Sequence, residues 1–179
     1  MSLLKNFIPH VSAITVGTWG INKFFNRSPY RRIPPKGMVS PADGKVYHVS
    51  PDQIKIVIRL RDVHMIRAPL AGKIKSITAV PGKTNPCIEK CPVDNRYRRI
   101  TISTKSGDIH VDLIYGAASK RINIFVEPDE VVEKGAIIGN VIYRSGCNIT
   151  IPRGYTPTIK PGDIVYAGSS IIATKRSTR

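Results

Sequence analysis

Acidic residues are scarce in this chain. Twelve Asp plus Glu stand against 28 Lys plus Arg in 179 residues, a formal net charge of +16. None precedes Asp43 and none follows Asp163. A deficit of that size points to an anionic partner, and lipid headgroups, phosphorylated substrates and RNA all qualify. Cysteine is also sparse: three residues exclude a disulfide-stapled scaffold. Long apolar runs are missing, none reaching the roughly 18–20 residues of a membrane-spanning helix. What is plentiful is turn chemistry, with 14 Gly and 14 Pro, more than a helical bundle tolerates. The 41% hydrophobic content is enough for one buried core. These features describe a basic, turn-rich, mostly β domain.

The charge is unevenly spread. Lys5, Lys23, Arg27, Arg31, Arg32 and Lys36 precede the first acid, Arg96, Arg98 and Arg99 form a second cluster, and Lys175, Arg176 and Arg179 follow the last one. One reading is a solvated surface with loose termini. The other is docking onto an anionic membrane, at about 1 kcal/mol per basic residue near the leaflet. RNA phosphates would engage the same charges by counterion release, although no RNA-binding motif such as paired sheet aromatics is present. Residues 1–37 read as a basic leader. Leu3, Leu4, Phe7, Ile8, Val11, Ile14 and Trp19 lie near helical spacing, interrupted by Pro9 and Gly17. Trp19, Phe24 and Phe25, flanked by Lys23 and Arg27, suit a membrane interface. The expectation is an amphipathic helix that lies on a membrane or against a partner chain. Its basic, acid-free character also suits a mitochondrial targeting segment, but no Arg-rich run occurs before residue 23.

From residue 38 to 173 the chain reads as short Ile- and Val-rich strands separated by turns. Strands are predicted at Lys45–Val49, Ile54–Leu60, Gly72–Val80, Arg99–Thr104, Ile109–Ile114, Ile122–Val126, Ala136–Tyr143, Ile149–Ile151 and Ile164–Ile172. A short helical turn is predicted at Ala117–Lys120, and residues 174–179 form a basic tail. Turn–strand–Gly units recur near residues 68–74, 132–139 and 159–168. Such repetition resembles the barrel-sandwich hybrid of biotinyl and lipoyl carriers, but no Lys sits at a hairpin tip as a carrier needs.

Ordered motifs then become specific. Phe24–Arg31 (FFNRSPYR) is followed by Ser40–Val46 (SPADGKV), Asp62–Pro69 (DVHMIRAP), Ile114–Ile122 (IYGAASKRI), Gly139–Ser145 (GNVIYRS) and the closing run Val165–Ala173. In this order and spacing, across about residues 24–173, the set resembles the phosphatidylserine decarboxylase family, particularly its short bacterial and archaeal branch. The resemblance implies a mostly β, barrel-sandwich-hybrid-like fold and a pyruvoyl enzyme made by self-cleavage. A Ser hydroxyl, activated by an Asp and a His, attacks the preceding carbonyl, and elimination from the ester leaves a pyruvoyl group. That group condenses with the amine of phosphatidylserine and takes up the electrons released as CO2 leaves. By position the implied triad is Asp43, His64 and Ser145, and Arg67 and Arg121 are candidates for the substrate's phosphate or carboxylate. Taken singly, Asp43 is also what an Asp-Gly turn uses, His64 could be a core histidine, and Ser145 a loop residue.

The departures matter as much. The cleavage position, Gly in the family, is Arg144 here, which restricts φ and adds bulk. Ile66 replaces an Asn and so loses a donor and an acceptor. Asp94-Asn95-Arg96 stands for N-E-R, and Ser119 stands for Ala. Gly168-Ser169, the other candidate junction, is predicted on the closing strand, away from the cleavage loop. Cys87 and Cys91 form a lone pair between Pro86 and Pro92, either reduced or joined in a local disulfide. A zinc site would need Cys147 and His48 or His110 as well, which their spacing does not demand, and no metal is expected. Two functions follow. One is a processing-impaired, decarboxylase-like accessory subunit of a membrane or ribonucleoprotein assembly, membrane-associated and in a mitochondrial setting. The other is an active decarboxylase that cleaves itself at Arg144–Ser145.

Overall fold

A computed structural model describes Lys23 and residues 27–117 and 121–176 of the chain. The amphipathic helix expected in the leader lies outside the described residues, as do positions 118–120 of the expected helical turn. From residue 27 onward the described chain contains no helix.

Fourteen strands follow one another: β1 (Met38–Val39), β2 (Gly44–Val49), β3 (Gln53–Ile58), β4 (Met65–Arg67), β5 (Gly72–Val80), β6 (Tyr97–Thr104), β7 (Gly107–Ile114), β8 (Ile122–Ile124), β9 (Val131–Val132), β10 (Ile137–Val141), β11 (Ser145–Thr150), β12 (Tyr155–Pro157), β13 (Ile164–Val165) and β14 (Ile171–Lys175). Eight of them form one antiparallel sheet in the order β13-β2-β3-β11-β7-β6-β5-β9, curled into a half-barrel. Two three-stranded sheets, β1-β14-β12 and β4-β10-β8, accompany it.

Alternation drives the packing. Ile54, Ile56 and Ile58 of β3, Ile100 and Ile102 of β6, Ile109, Val111 and Leu113 of β7 and Ile149 of β11 point into one main core. Each such side chain contributes about 1.5–3 kcal/mol when fully buried. The opposite face is covered only in part. There Val57 and Ile114 meet Cys87 and Cys91, with Tyr47 and Tyr97 at the edge of the cluster. The long connection between β5 and β6 thus forms a lid over one end of the sheet.

Most predicted strands are present, and Gly72–Val80 has the same bounds. The run predicted at Ile164–Ile172 is instead two strands separated by a turn at 166–170. Gly168 adopts φ 77° there, a conformation that ends a strand. The Gly168-Ser169 dipeptide therefore lies in a turn, not on the closing strand. Four short strands, β1, β4, β9 and β12, have only two or three residues each and no periodicity to reveal them.

Candidate active site

Ser145 opens β11, a central strand, opposite Ile58 of β3, and the next residue, Gly146, lies opposite Ile114 of β7. The serine is fully buried, and its Oγ has no hydrogen-bond partner among the described residues. A buried hydroxyl left without a partner costs about 1–3 kcal/mol, and such a group in a native fold calls for a functional explanation. The chain enters this strand through an exposed bend at Tyr143 and Arg144. Tyr143 takes φ 67°; among the described non-glycine residues only it and Asp129 have positive φ. Arg144 is not among them, so its side chain meets no left-handed strain and projects to the surface. The difficulty the sequence raises at Arg144 is thereby displaced by one residue, onto Tyr143.

Gly116, just after β7, packs directly on the Arg144 carbonyl oxygen, where a Cβ would overlap it. Only a residue without a side chain leaves that carbonyl its place. Because the carbonyl belongs to the bond that Ser145 would cleave, Gly116 is a site residue the sequence did not single out.

His64 is fully buried just before β4. Its Nδ1–H donates to the Asp62 carbonyl at 2.7 Å, which leaves the lone pair of the neutral ring on Nε2. Burial is the largest influence on the imidazole and lowers its pKa, which keeps it neutral near pH 7. The Asp62 carbonyl is held in turn by its own side chain. That carboxylate accepts from the Arg59 amide, Nε and Nη2 at 2.8, 2.9 and 2.8 Å and closes the turn. The imidazole also faces the main-chain carbonyl of Tyr143, two residues before Ser145. Pairing of β4 with β10 sets this meeting, since the Val141 amide donates to the His64 carbonyl at 3.0 Å.

Asp43 is buried, but its carboxylate serves the backbone and an arginine. Oδ1 accepts from the Ala167 amide at 2.7 Å and Oδ2 from Arg31 at 2.8 Å. Its link to the histidine segment runs through the Val63 amide. Burial outweighs these donors and raises the Asp43 pKa. The carbonyl of Asp62 orients His64, while Asp43 ties together the leader, the 62–64 segment and the turn after β13.

Arg67 donates to the Gly135 carbonyl at 2.8 Å and reaches Ser28 and Pro29 at 3.4 Å, so much of its guanidinium is engaged within the fold. Arg121 is exposed at the start of β8, beside the Ile122–Val141 pair. Ile66 is fully buried in the main core. Asn95 has a definite duty: its Oδ1 accepts from the Asn85 amide at 2.9 Å, and its Nδ2 donates at 2.8 Å to both the Asn85 and Tyr115 carbonyls. Cys87 and Cys91 are joined in a disulfide, and Cys147 is a buried free thiol whose pKa burial pushes up. Among the described residues no group of three or more His, Cys, Asp or Glu is placed to hold a metal ion, and no helix is long and apolar enough to cross a membrane.

A buried serine, a neutral imidazole beside the same bend and a carbonyl seated on a glycine thus lie around the junction that leads from β10 into β11. The chain belongs to the phosphatidylserine decarboxylase family, whose sequence model matches residues 21–173. It is 32% identical to a putative archaetidylserine decarboxylase proenzyme of Methanosarcina mazei, over 97% of this chain and 84% of that one. It is 34% identical to the corresponding protein of Archaeoglobus fulgidus, over 91% of this chain and 83% of the relative. A phosphatidylserine decarboxylase proenzyme of Solibacter usitatus is 33% identical over 85% of this chain and 78% of its own length. No solved structure matches the chain.

Proposed function

We propose that this protein is a self-processing decarboxylase of a serine phospholipid. The observation that carries the proposal is the fully buried, unpartnered Ser145 Oγ beside a carbonyl that Gly116 accommodates. Neutral His64 takes the hydroxyl proton, and Oγ attacks the Arg144 carbonyl carbon. The Arg144–Ser145 peptide bond gives way to an ester, its nitrogen accepting a proton. Loss of the Ser145 Cα proton then expels the Arg144 carboxylate, and hydrolysis of the resulting enamine releases ammonia and leaves a pyruvoyl group. The residues fit such a group: position 145 is fully buried, lies opposite the apolar Ile58 and is followed by Gly146, which lies opposite Ile114. When present it supplies an electron sink for loss of CO2. The chain's own task is then to bind the lipid headgroup and exclude water. Arg67 and the exposed Arg121 are the candidates for the substrate's phosphate or carboxylate. The basic leader and surface hold the protein at an anionic phospholipid membrane.

Intact-mass measurement of the full chain tests this reading. Fragments 1–144 and 145–179 are expected, the second carrying a pyruvoyl end, and Ser145→Ala should remain whole. CO2 release from carboxyl-labelled phosphatidylserine in anionic vesicles should require the cleaved form. A single uncleaved chain would overturn the proposal. Ile66 favours a second reading: an apolar core residue stands where the family motif has a polar one. In that reading the uncleaved chain is an accessory subunit whose charge meets other protein subunits or RNA in a membrane-associated assembly, mitochondrial in setting. The same mass measurement separates the two.

A further inference from the structure

The Cys87–Cys91 disulfide lies against Gly146 on one side of the bond that self-cleavage would break and beside Gly116, which seats the carbonyl on the other. Cys91 Sγ packs directly on Gly146, the residue after Ser145, where a Cβ would overlap it. The Cys87 amide nitrogen lies 3.7 Å from the Cβ position of Gly116, and Gly116 seats the Arg144 carbonyl. Both cysteines are buried, at 1% and 5% exposure, in a small cluster with Val57 and Ile114. Asn95 fastens the loop by bonding Asn85 within it and Tyr115 next to Gly116. Between the two cysteines, residues 88–90 are exposed.

From this arrangement we infer that the Cys87–Cys91 bridge is a positioning element for self-processing, which makes maturation depend on the thiol redox state. The inference rests on the self-cleavage reading above. Oxidised, the bridge fixes the five-residue loop as a wall that holds Gly116 against the Arg144 carbonyl and confines Gly146. Reduction by a small-molecule thiol adds two electrons and two protons to the S–S bond and leaves two thiols. The sulfurs are covered, so exchange proceeds through openings of the 88–90 segment. Two separate thiols no longer hold the wall as one piece, and the carbonyl loses its fixed approach to Ser145 Oγ. Misplacement of a reacting group by about 1 Å costs about 100-fold in rate.

The test follows the full chain made by cell-free synthesis, with cleavage sampled over time by intact mass. Two arms are compared, one in dithiothreitol and one in oxidised glutathione. Cleavage at Arg144–Ser145 should be about 10- to 100-fold slower in dithiothreitol and should recover when oxidised glutathione is added. The Cys87→Ser/Cys91→Ser variant should be slow in both arms while its circular dichroism and melting temperature report a folded chain, which distinguishes lost positioning from lost folding. Cleavage that proceeds at the same rate in both arms overturns the inference. A second measurement does not need cleavage: amide hydrogen exchange of residues 143–147 in Ser145→Ala, oxidised and reduced. Faster exchange on reduction supports the bridge as the clamp, and unchanged exchange overturns it. Should the wild-type chain stay whole in both arms while exchange responds, the self-cleavage reading fails and the clamp stands.

Discussion

Replacing Gly116 by Ala puts one methyl group against the Arg144 carbonyl oxygen, and the consequence can be worked from geometry. Unstrained carbon–oxygen contacts settle near about 3.3–3.6 Å. The Gly116 Cβ position lies well inside that limit, and its neighbour is main chain, which cannot swing aside like a side-chain tip. The carbonyl must therefore retreat by more than about 1 Å, or β7 must shift by a similar amount, and a displacement of about 1 Å already costs about 100-fold in a positioned reaction. The shift is resisted on the far side too, where Ser145 and Gly146 are locked into the β3–β11–β7 ladder. Gly116→Ala is thus expected to slow cleavage about 100-fold, followed as the disappearance of the full-length chain by intact mass. Circular dichroism and the melting temperature should report a folded protein. Adding Arg144→Gly to the same chain should restore part of the rate, because glycine lets the displaced carbonyl find another approach. A folded Gly116→Ala chain cleaving at the wild-type rate would refute the reasoning.

Other predictions come from the buried ionisable groups. In the proposed self-cleavage His64 acts in its neutral form, so the rate should rise with pH through a pKa below 6.5 and level off above it; a plateau reached only above pH 7 would remove His64 as the base. Stability should move the same way: between the depressed folded value and the unfolded 6.5 the unfolded chain binds more protons, so unfolding becomes easier as pH falls through that window. For Asp43 the sign reverses. Its raised pKa means that the folded chain binds more protons above 3.8, so its contribution is present at lower pH and lost as pH rises through the raised value. Asp43→Asn should cost about 1–3 kcal/mol in denaturant melts through the lost charged bond to Arg31, yet keep cleavage within about tenfold, a factor worth 1.4 kcal/mol. A loss beyond about 1,000-fold, roughly 4 kcal/mol of barrier, would mean that the carboxylate acts on the imidazole itself. Finally, the oxidised native protein should offer no fast-reacting thiol to iodoacetamide, denaturation should expose Cys147 alone, and reduction should bring the count to three.

The β architecture was legible because its signal is local. Alternating Ile and Val in Gln53–Ile58 and Gly107–Ile114 report a buried face whatever the strand's neighbours. The two- and three-residue strands carry no such period. Met65–Arg67 exists because β10 pairs with it, and that pairing joins residues far apart in the chain. Ser145, His64 and Asp43 were found through ordered motifs, which preserve position but not partner. Nothing in Ala-Asp-Gly says that the carboxylate will turn to Ala167, 124 residues away, and to Arg31. Gly116 carries no local signal for the same reason: the demand for a bare α-carbon arises from the Arg144 carbonyl, in the bend before β11.

Arg144 shows most sharply what a motif comparison can and cannot carry. Read along the sequence, an arginine in place of glycine removes the flexible residue from the scissile position and argues against cleavage. Two demands are merged in that reading: freedom of φ, and room for the carbonyl. In the folded chain they fall on different residues. Tyr143 holds the left-handed conformation at φ 67°, Gly116 leaves the space, and Arg144 needs neither because its side chain leaves the surface. The strain at Tyr143, of order 1–3 kcal/mol for a non-glycine residue held there, resides in the bend that cleavage would release. Arginine at position 144 therefore counts against processing only if the bend relaxes, and its two ends are anchored by β10, paired with β4, and β11, paired with β3 and β7.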